Sequence, residues 1–398
     1  MNSVPQTAIT APVAIEVHDL ASLPRARLDD WRALFAALPD AGFQHHPDWF
    51  AAIDAHLLPG ELRVAFARDH DGPLGLLPLA GPADAREALH PRHAHLARAD
   101  VLLHPRLDAS AALHLIGDLA GAAAPRAEVW RIADLHGDAA LAGALGMPDD
   151  SVRPARDAPL DGADETARTT RTDPVKQVSA KRSLPDGWTY RPSRPSAHFE
   201  LNAANAPVPG KLRRNLARLR RRLAEAGSLR VERVRAPDAL PAAWARFLAV
   251  EASGWKGGEN GGTAIAHDPA LVGFYGALLA PASPGLVPVI DLLWLDGDCI
   301  AVQLGLETNG VLSLLKIGYD ERHAAAAPGS LLLESVLELA AADGFHRLSL
   351  VTSPPWAARW HPVERSLWHA VRYADTIGGR RRRALDDFKG FARERLRH

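Results

Sequence analysis

Two hairpin signals place the strongest constraint on how this chain folds. Asp296-Gly297 and Asn309-Gly310 are dipeptides that tolerate positive φ, and each separates two strongly apolar runs. The runs Leu286 to Leu295, Cys299 to Glu307 and Val311 to Ile317 therefore read as three meandering antiparallel strands. Leu229 to Arg235 alternates as a strand before them, followed by helical stretches at Leu240 to Ala252 and Pro269 to Leu279. After them come a strongly apolar helix, Pro328 to Ala342, stopped by Gly344, and strands at Arg347 to Val351 and Leu367 to Arg372. A further helix, Pro209 to Ala226, precedes the set, with Leu212, Leu216, Leu219 and Leu223 at helical spacing and arginine on its other faces.

The first half repeats this order more faintly. Ile15 to His18, Leu62 to Arg68, Leu74 to Ala80, Val101 to His104 and Val129 to Leu135 read as strands; Leu28 to Leu38, Pro47 to Leu57 and Ala109 to Ala122 read as helices. Two copies of one plan imply a tandem, pseudo-twofold α/β architecture. Each copy has a mixed, mostly antiparallel sheet with flanking helices. Residues 151–196 are polar, proline-dotted and poor in aliphatic runs, so they read as a flexible linker between domains at 1–150 and 197–398.

The 398 residues carry a net charge of −1, which gives no electrostatic reason to expect DNA as a partner. Cys299 is the only cysteine, so neither an intrachain disulfide nor a cysteine-rich metal site is possible, and no metal is expected. The N-terminus lacks a basic, apolar leader and no run is long enough to span a membrane, so the expected location is the cytoplasm. Lysine occurs only at Lys176, Lys181, Lys211, Lys256, Lys316 and Lys389, so a lysine here is more informative than an arginine. The arginines at Arg213 to Arg222 and in the basic amphipathic tail from Arg380 read either as solvated faces or, for the first group, as a contact for tRNA.

The chemistry concentrates in the second half. Ala327-Pro328-Gly329-Ser330 opens a helix whose N-terminal N–H groups favour a pyrophosphate, and glycine permits close approach; an ordinary helix start is the alternative. Lys316, Tyr319 and Asp320 cluster at a strand end. Asp320 is placed to act as a general base, Tyr319 to protonate a leaving thiolate, and Lys316 to bind donor or acceptor; equally, Asp320 turns the loop and Tyr319 packs on the sheet. Gln303 is a polar residue within a strand, suited to orienting a substrate or to a solvated sheet face. Trp255-Lys256-Gly257 opens a glycine-rich loop able to cover an acceptor. Arg359, Trp360 and Arg365 follow a proline break and could hold an anionic or sugar acceptor, with a core tryptophan and solvated arginines as the plain reading. His45 and His46 are adjacent and so point apart.

An ordered set of blocks makes the second half resemble the CelD/BcsL-type acetyltransferase domain, a GNAT relative similar to the Fem aminoacyltransferases. They are Lys211-Leu212-Arg213-Arg214-Asn215, Trp255-Lys256-Gly257, Ala301-Val302-Gln303, Leu315-Lys316-Ile317-Gly318-Tyr319-Asp320-Glu321 and Ala327-Pro328-Gly329-Ser330-Leu331-Leu332, followed by Trp356 to Trp360 and Arg365. The first half is similar more loosely, through Phe43-Gln44-His45-His46-Pro47-Asp48-Trp49 and Leu77-Pro78-Leu79. The resemblance implies an acyl-CoA donor, with acetyl-CoA as the expected co-substrate. It also implies that the strand carrying Leu315 and Ile317 binds the pantetheine arm through main-chain bonds. The expected acceptor is an amine or hydroxyl on a cell-envelope, polysaccharide or secondary-metabolite precursor. Where relatives carry an Asp-rich stretch and a Tyr-Lys pair, this chain reads Leu348 to Trp360, with Ala357 in place of the lysine. Two other readings therefore stand beside acyl-CoA transfer: a Fem-like transferase using aminoacyl-tRNA, and a non-catalytic binding protein on the same fold.

Overall fold

The computed structural model describes residues 12–38, 41–93, 95–96, 101–136, 153–154, 182–183, 187–202, 208–254, 257 and 262–395. The first half contains β1 (Ala14–Asp19), α1 (Arg25–Ala37), α2 (Pro47–His56), β2 (Leu62–Asp69), β3 (Gly72–Ala80), β4 (Glu87–Leu89), β5 (Leu102–Leu103), α3 (Ala109–Ala123) and β6 (Val129–His136). Two short strands follow, β7 (Arg153–Pro154) and β8 (Arg182–Ser183), then the long β9 (Trp188–Glu200). The second half contains α4 (Gly210–Ala226), β10 (Leu229–Val234), α5 (Leu240–Ala252), α6 (Pro269–Ala277), β11 (Val287–Leu295), β12 (Asp298–Thr308) and β13 (Val311–Tyr319). It ends with α7 (Pro328–Ala342), β14 (Arg347–Ser349), β15 (Val363–Tyr373) and α8 (Ile377–Arg395).

The turn chemistry expected from sequence operates here. Asp296 and Gly297 have φ of 48° and 90°, and Asn309 and Gly310 have 47° and 73°, the paired positive values that match hairpin twist. α7 stops where Gly344 takes φ 84° and its N–H bonds Ala341 O, while Phe345 N bonds Ala340 O. This is the double closure that satisfies a helix's last carbonyls.

The main path of the sheet is β1-β2-β3-β4-β6-β15-β9-β14-β13-β12-β11-β10. From either end the pattern is the same. An antiparallel ladder leads to one parallel step, β4–β6 in the first half and β13–β14 in the second. An antiparallel step then leads to a strand that the chain supplies from the other side. β15 follows β14 in sequence but pairs with β6; β9 follows β6 but pairs with β14; and β9 and β15 pair with each other. This exchange joins the halves through main-chain hydrogen bonds.

It also corrects the linker. Trp188 to Ser196, expected as the end of a flexible segment, lies within central strand β9. Pro192 and Pro195 hid the strand, because proline donates no ladder hydrogen bond. They flank a register shift against β15, between the pairings of Pro195 with Ser366 and Pro192 with Trp368. A bulge tolerates them there. Residues 155–181 of the expected linker lie outside the described residues.

Three cores follow from the two faces. α1, α2, α5 and α6 enclose one shared by both halves, with Trp31, Trp49, Phe50, Phe247 and Phe274 fully buried. Trp49 of α2 meets Phe274 of α6 edge to face, with centroids 5.2 Å apart. Each such large side chain contributes about 1.5–3 kcal/mol by leaving water. On the opposite face α3 covers the first half-sheet, and α4 with α7 covers the second. Polar bonds seal the shared side: Ser283 N donates to Asp48 at 2.8 Å, and Asn309 Nδ2 at the β12–β13 turn donates to Ala41 O at 2.8 Å. His45 and His46 belong to this packing. His45 Nδ1 accepts from Gly42 N, and His46 Nε2 lies 3.1 Å from Pro284 O.

Candidate functional site

β13 pairs with β12 along its length but with β14 only through Val311–Ser313, after which the two strands separate. The β12 register shifts between Leu304 and Gly305, opposite Lys316 and Leu314, which leaves Leu315 as an extra residue. Such a bulge bends its strand. Leu315 consequently packs toward the shared core, and Lys316 also faces that side, with Nζ 5.7 Å from the Tyr275 ring centroid. Ile317 lies opposite Gln303, and Tyr319, opposite Ala301, packs on the α7 face.

α7 begins beside Tyr319. Its N-cap, Ala327, takes the left-handed conformation (φ 48°, ψ 54°) and offers no side-chain cap; Pro328 occupies the first turn. A Cβ placed on Gly329 would lie 3.5 Å from Tyr319 Cδ1 and meet nothing else within 4 Å. Arg359 Nη2 donates to Ser330 Oγ at 2.7 Å, so an exposed guanidinium stands over the first turn. The helix dipole, the lack of a capping carboxylate and Arg359 together make this end attractive to an anion. One turn further on, Arg220 of α4 donates to Glu334 at 3.0 Å and to Ser335 at 3.2 Å.

The strand-end trio expected to act together is divided. Lys316 faces the shared core and Tyr319 the opposite side. Asp320 is 5% exposed, and its carboxylate accepts from the backbone N, Nε and Nη2 of Arg322 while capping the short helix Glu321–Ala326. The Arg322 hydrogen bonds hold its carboxyl below the usual carboxylate range. A general base works best near the operating pH, so this geometry gives Asp320 a loop-forming part.

Gln303 is buried rather than solvated, and its Oε1 has no hydrogen-bond partner among the described residues. It lies on the α7 face opposite Asp291, whose carboxylate receives Nε of Arg233 at 2.7 Å and Nη2 at 3.3 Å. Arg359, Trp360 and Arg365 go three ways. Arg359 joins the α7 terminus. Trp360 is fully buried against Phe199, which removes it from any acceptor contact. Arg365 lies on β15 opposite Ser196 of β9. Trp255 and Lys256 lie outside the described residues.

Two groups went unnoticed in the sequence. Glu251 is 3% exposed, accepts from Ile265 N at 2.9 Å, and presses its backbone against β13: a Cβ on Gly318 would come within 2.9 Å of Glu251 Cα. Its place one helical turn after Phe247, on an apolar face, was the available signal. The second group lies where β14 leaves β13. His198, 3% exposed, pairs with Glu200 at 2.8 Å, and Arg347 donates to Glu200 at 3.2 Å. Burial pushes the His198 pKa down to about 4, with the Arg347 charge adding to the effect. The alternation Ser196-Ala197-His198-Phe199-Glu200 marks the strand that carries it.

Residues 210–360 match the family model of the acetyltransferase (GNAT) domain. FemX is similar in structure, with a TM-score of 0.53 at 12% identity over 89% of this chain and 96% of that one. A tandem GNAT protein from the clavulanic acid biosynthesis pathway aligns with a TM-score of 0.45 at 14% identity, over 92% of this chain and 100% of that one. No curated protein matches by sequence. The fold is thus α/β with tandem GNAT-like units, and the second unit carries the acetyltransferase-type domain.

Proposed function

We propose that the chain is an acyltransferase that moves an acyl group from an acyl-CoA, acetyl-CoA first among them, to an amine or hydroxyl acceptor. The observation that carries this is the start of α7, uncapped by any side chain and overlooked by Arg359. The donor's pyrophosphate would lie over Pro328 to Ser330, and its pantetheine arm would follow β13 past Leu315 and Ile317. This directs the thioester toward the point where β13 and β14 part. The acceptor's nitrogen or oxygen attacks the carbonyl carbon and gives up its proton to water, the C–S bond breaks, and the thiolate leaves. The Tyr319 phenol, whose ring lies beside Gly329, would protonate the thiolate and be reprotonated from water. Lys316 and the loop bearing Trp255 and Lys256 would bound the acceptor. Resemblance to CelD/BcsL-type domains supports a cell-envelope, polysaccharide or secondary-metabolite acceptor. The test is thiol release from acetyl-CoA across amine and saccharide acceptors. Activity in the wild type that falls about tenfold or more in Arg359→Ala supports the reading; no release with any acceptor, and no binding of acetyl-CoA, would count against it.

One observation favours a second reading, a Fem-like transfer from aminoacyl-tRNA. The outer face of α4 exposes Lys211, Arg214, Arg218, Arg221 and Arg222. Binding of aminoacyl-tRNA that is lost in Arg214→Glu/Arg221→Glu would select it.

A further inference from the structure

The basic amphipathic tail has no part in the donor site. Five large apolar side chains are exposed among the described residues, and three of them, Ile377 (66%), Leu385 (56%) and Phe388 (69%), belong to α8. Their spacing places them on one face, with Ala384 between them. The opposite face holds the helix to the first half. Asp386 receives Arg131 Nη2 and, at 2.8 Å, the Tyr373 hydroxyl, and Arg382 Nε donates to Glu128 at 2.8 Å. These anchors fix which side points outward. By helical spacing the exposed Arg381 lies within the stripe and Lys389 beside it, with Arg383 farther round; Arg380 is paired with Asp375, and Asp387 is the one exposed carboxylate between Ile377 and Lys389.

We propose that α8 docks the protein on an anionic lipid surface, lying in the interface with Leu385 and Phe388 inserted and the neighbouring cations on lipid phosphates. An exposed apolar stripe with Arg381 within it and Lys389 beside it suits such an interface, because these long side chains reach from the apolar face to the lipid phosphates. Nucleic acid fits it poorly, because phosphates gain nothing from the apolar centre. A second copy fits poorly too, since a twofold contact would set the same arginines against each other. No helix of the described residues is long and apolar enough to cross a membrane, so the contact is peripheral.

This inference is independent of the donor assignment. Its test is co-sedimentation of the full chain with phosphatidylcholine vesicles, with and without phosphatidylglycerol. Binding should be at least about tenfold stronger to the anionic vesicles, weaken at high salt, and be lost in Leu385→Asp/Phe388→Asp. Both positions are exposed, and an unchanged acetyl-CoA titration and thermal transition in the variant would confirm that it folds. Equal binding to both vesicle types, or undiminished binding by the variant, would overturn the proposal. So would a wild-type dimer in light scattering that the variant abolishes, which would assign the face to a second copy.

Discussion

The two half-sheets share one plan but begin their matching helices, α3 and α7, differently. α3 is capped by Asp108, whose carboxylate accepts from Ala111 N at 2.8 Å. α7 has no side-chain cap, and Arg359 stands over its start. A carboxylate at a helix N-terminus occupies the place an anionic ligand would take. The strands leading to the helices differ as well. In the second half one continuous strand, β13, pairs with both neighbours. In the first half that role is split between β4 and the two-residue β5, and Arg106 is engaged by Asp69 at 2.7 Å. The seam differs between its ends: near β14 it carries buried His198 with Glu200 and Arg347, whereas near β6 it combines apolar Trp188, Leu135 and Trp368 with Asp134, which accepts from Ser193 and Arg194. We propose that one copy of the fold serves as scaffold while the other keeps an anion site.

The largest expected effect tests the polar side of the seam. The folded-state pKa of His198, about 4, lies below the ordinary imidazole value. Below about pH 6.5 the unfolded chain therefore binds the extra proton first, and stability falls with pH until about 4. Urea unfolding should show a loss of up to about 3 kcal/mol across that window, which His198→Gln should largely remove. An unchanged slope in the variant would return the pH dependence to other groups. Next, Gly329→Val should weaken acetyl-CoA binding by roughly a hundredfold, about 2.8 kcal/mol, with little change in melting temperature because the glycine is helical and its neighbourhood open. Ala327→Asp puts a carboxylate at the start of α7, where Asp108 stands at the start of α3, and should cost about tenfold in the same titration. The smallest effect is expected from the reverse change. Asp108→Ala should lower stability by about 1 kcal/mol through loss of the cap, seen in thermal melts.

Much of the fold was legible because the turn residues were unambiguous. Asp296-Gly297, Asn309-Gly310 and Gly344 fixed hairpins and a helix end through backbone conformations few other residues accept. β9 was missed because its prolines read as coil, and β4 because three residues carry too little periodicity. At the site, the sequence located Gly329 and Ser330 through local helix-start chemistry. It could not show that Arg359 crosses to Ser330, which face Lys316 and Tyr319 each take, or that Trp360 is core. The first depends on a contact between distant segments. The second depends on the bulge at Leu315, which shifts alternation by one residue, whereas plain alternation already sets the two side chains on opposite faces.

We propose that one half alone keeps a donor site, at the start of α7. Isothermal titration of acetyl-CoA into wild type, Gly329→Val and Asp108→Ala tests this in a single series. One site per chain is expected, strongly weakened by Gly329→Val and untouched by Asp108→Ala. Two sites per chain, wild-type affinity in Gly329→Val, or binding altered by Asp108→Ala would contradict it.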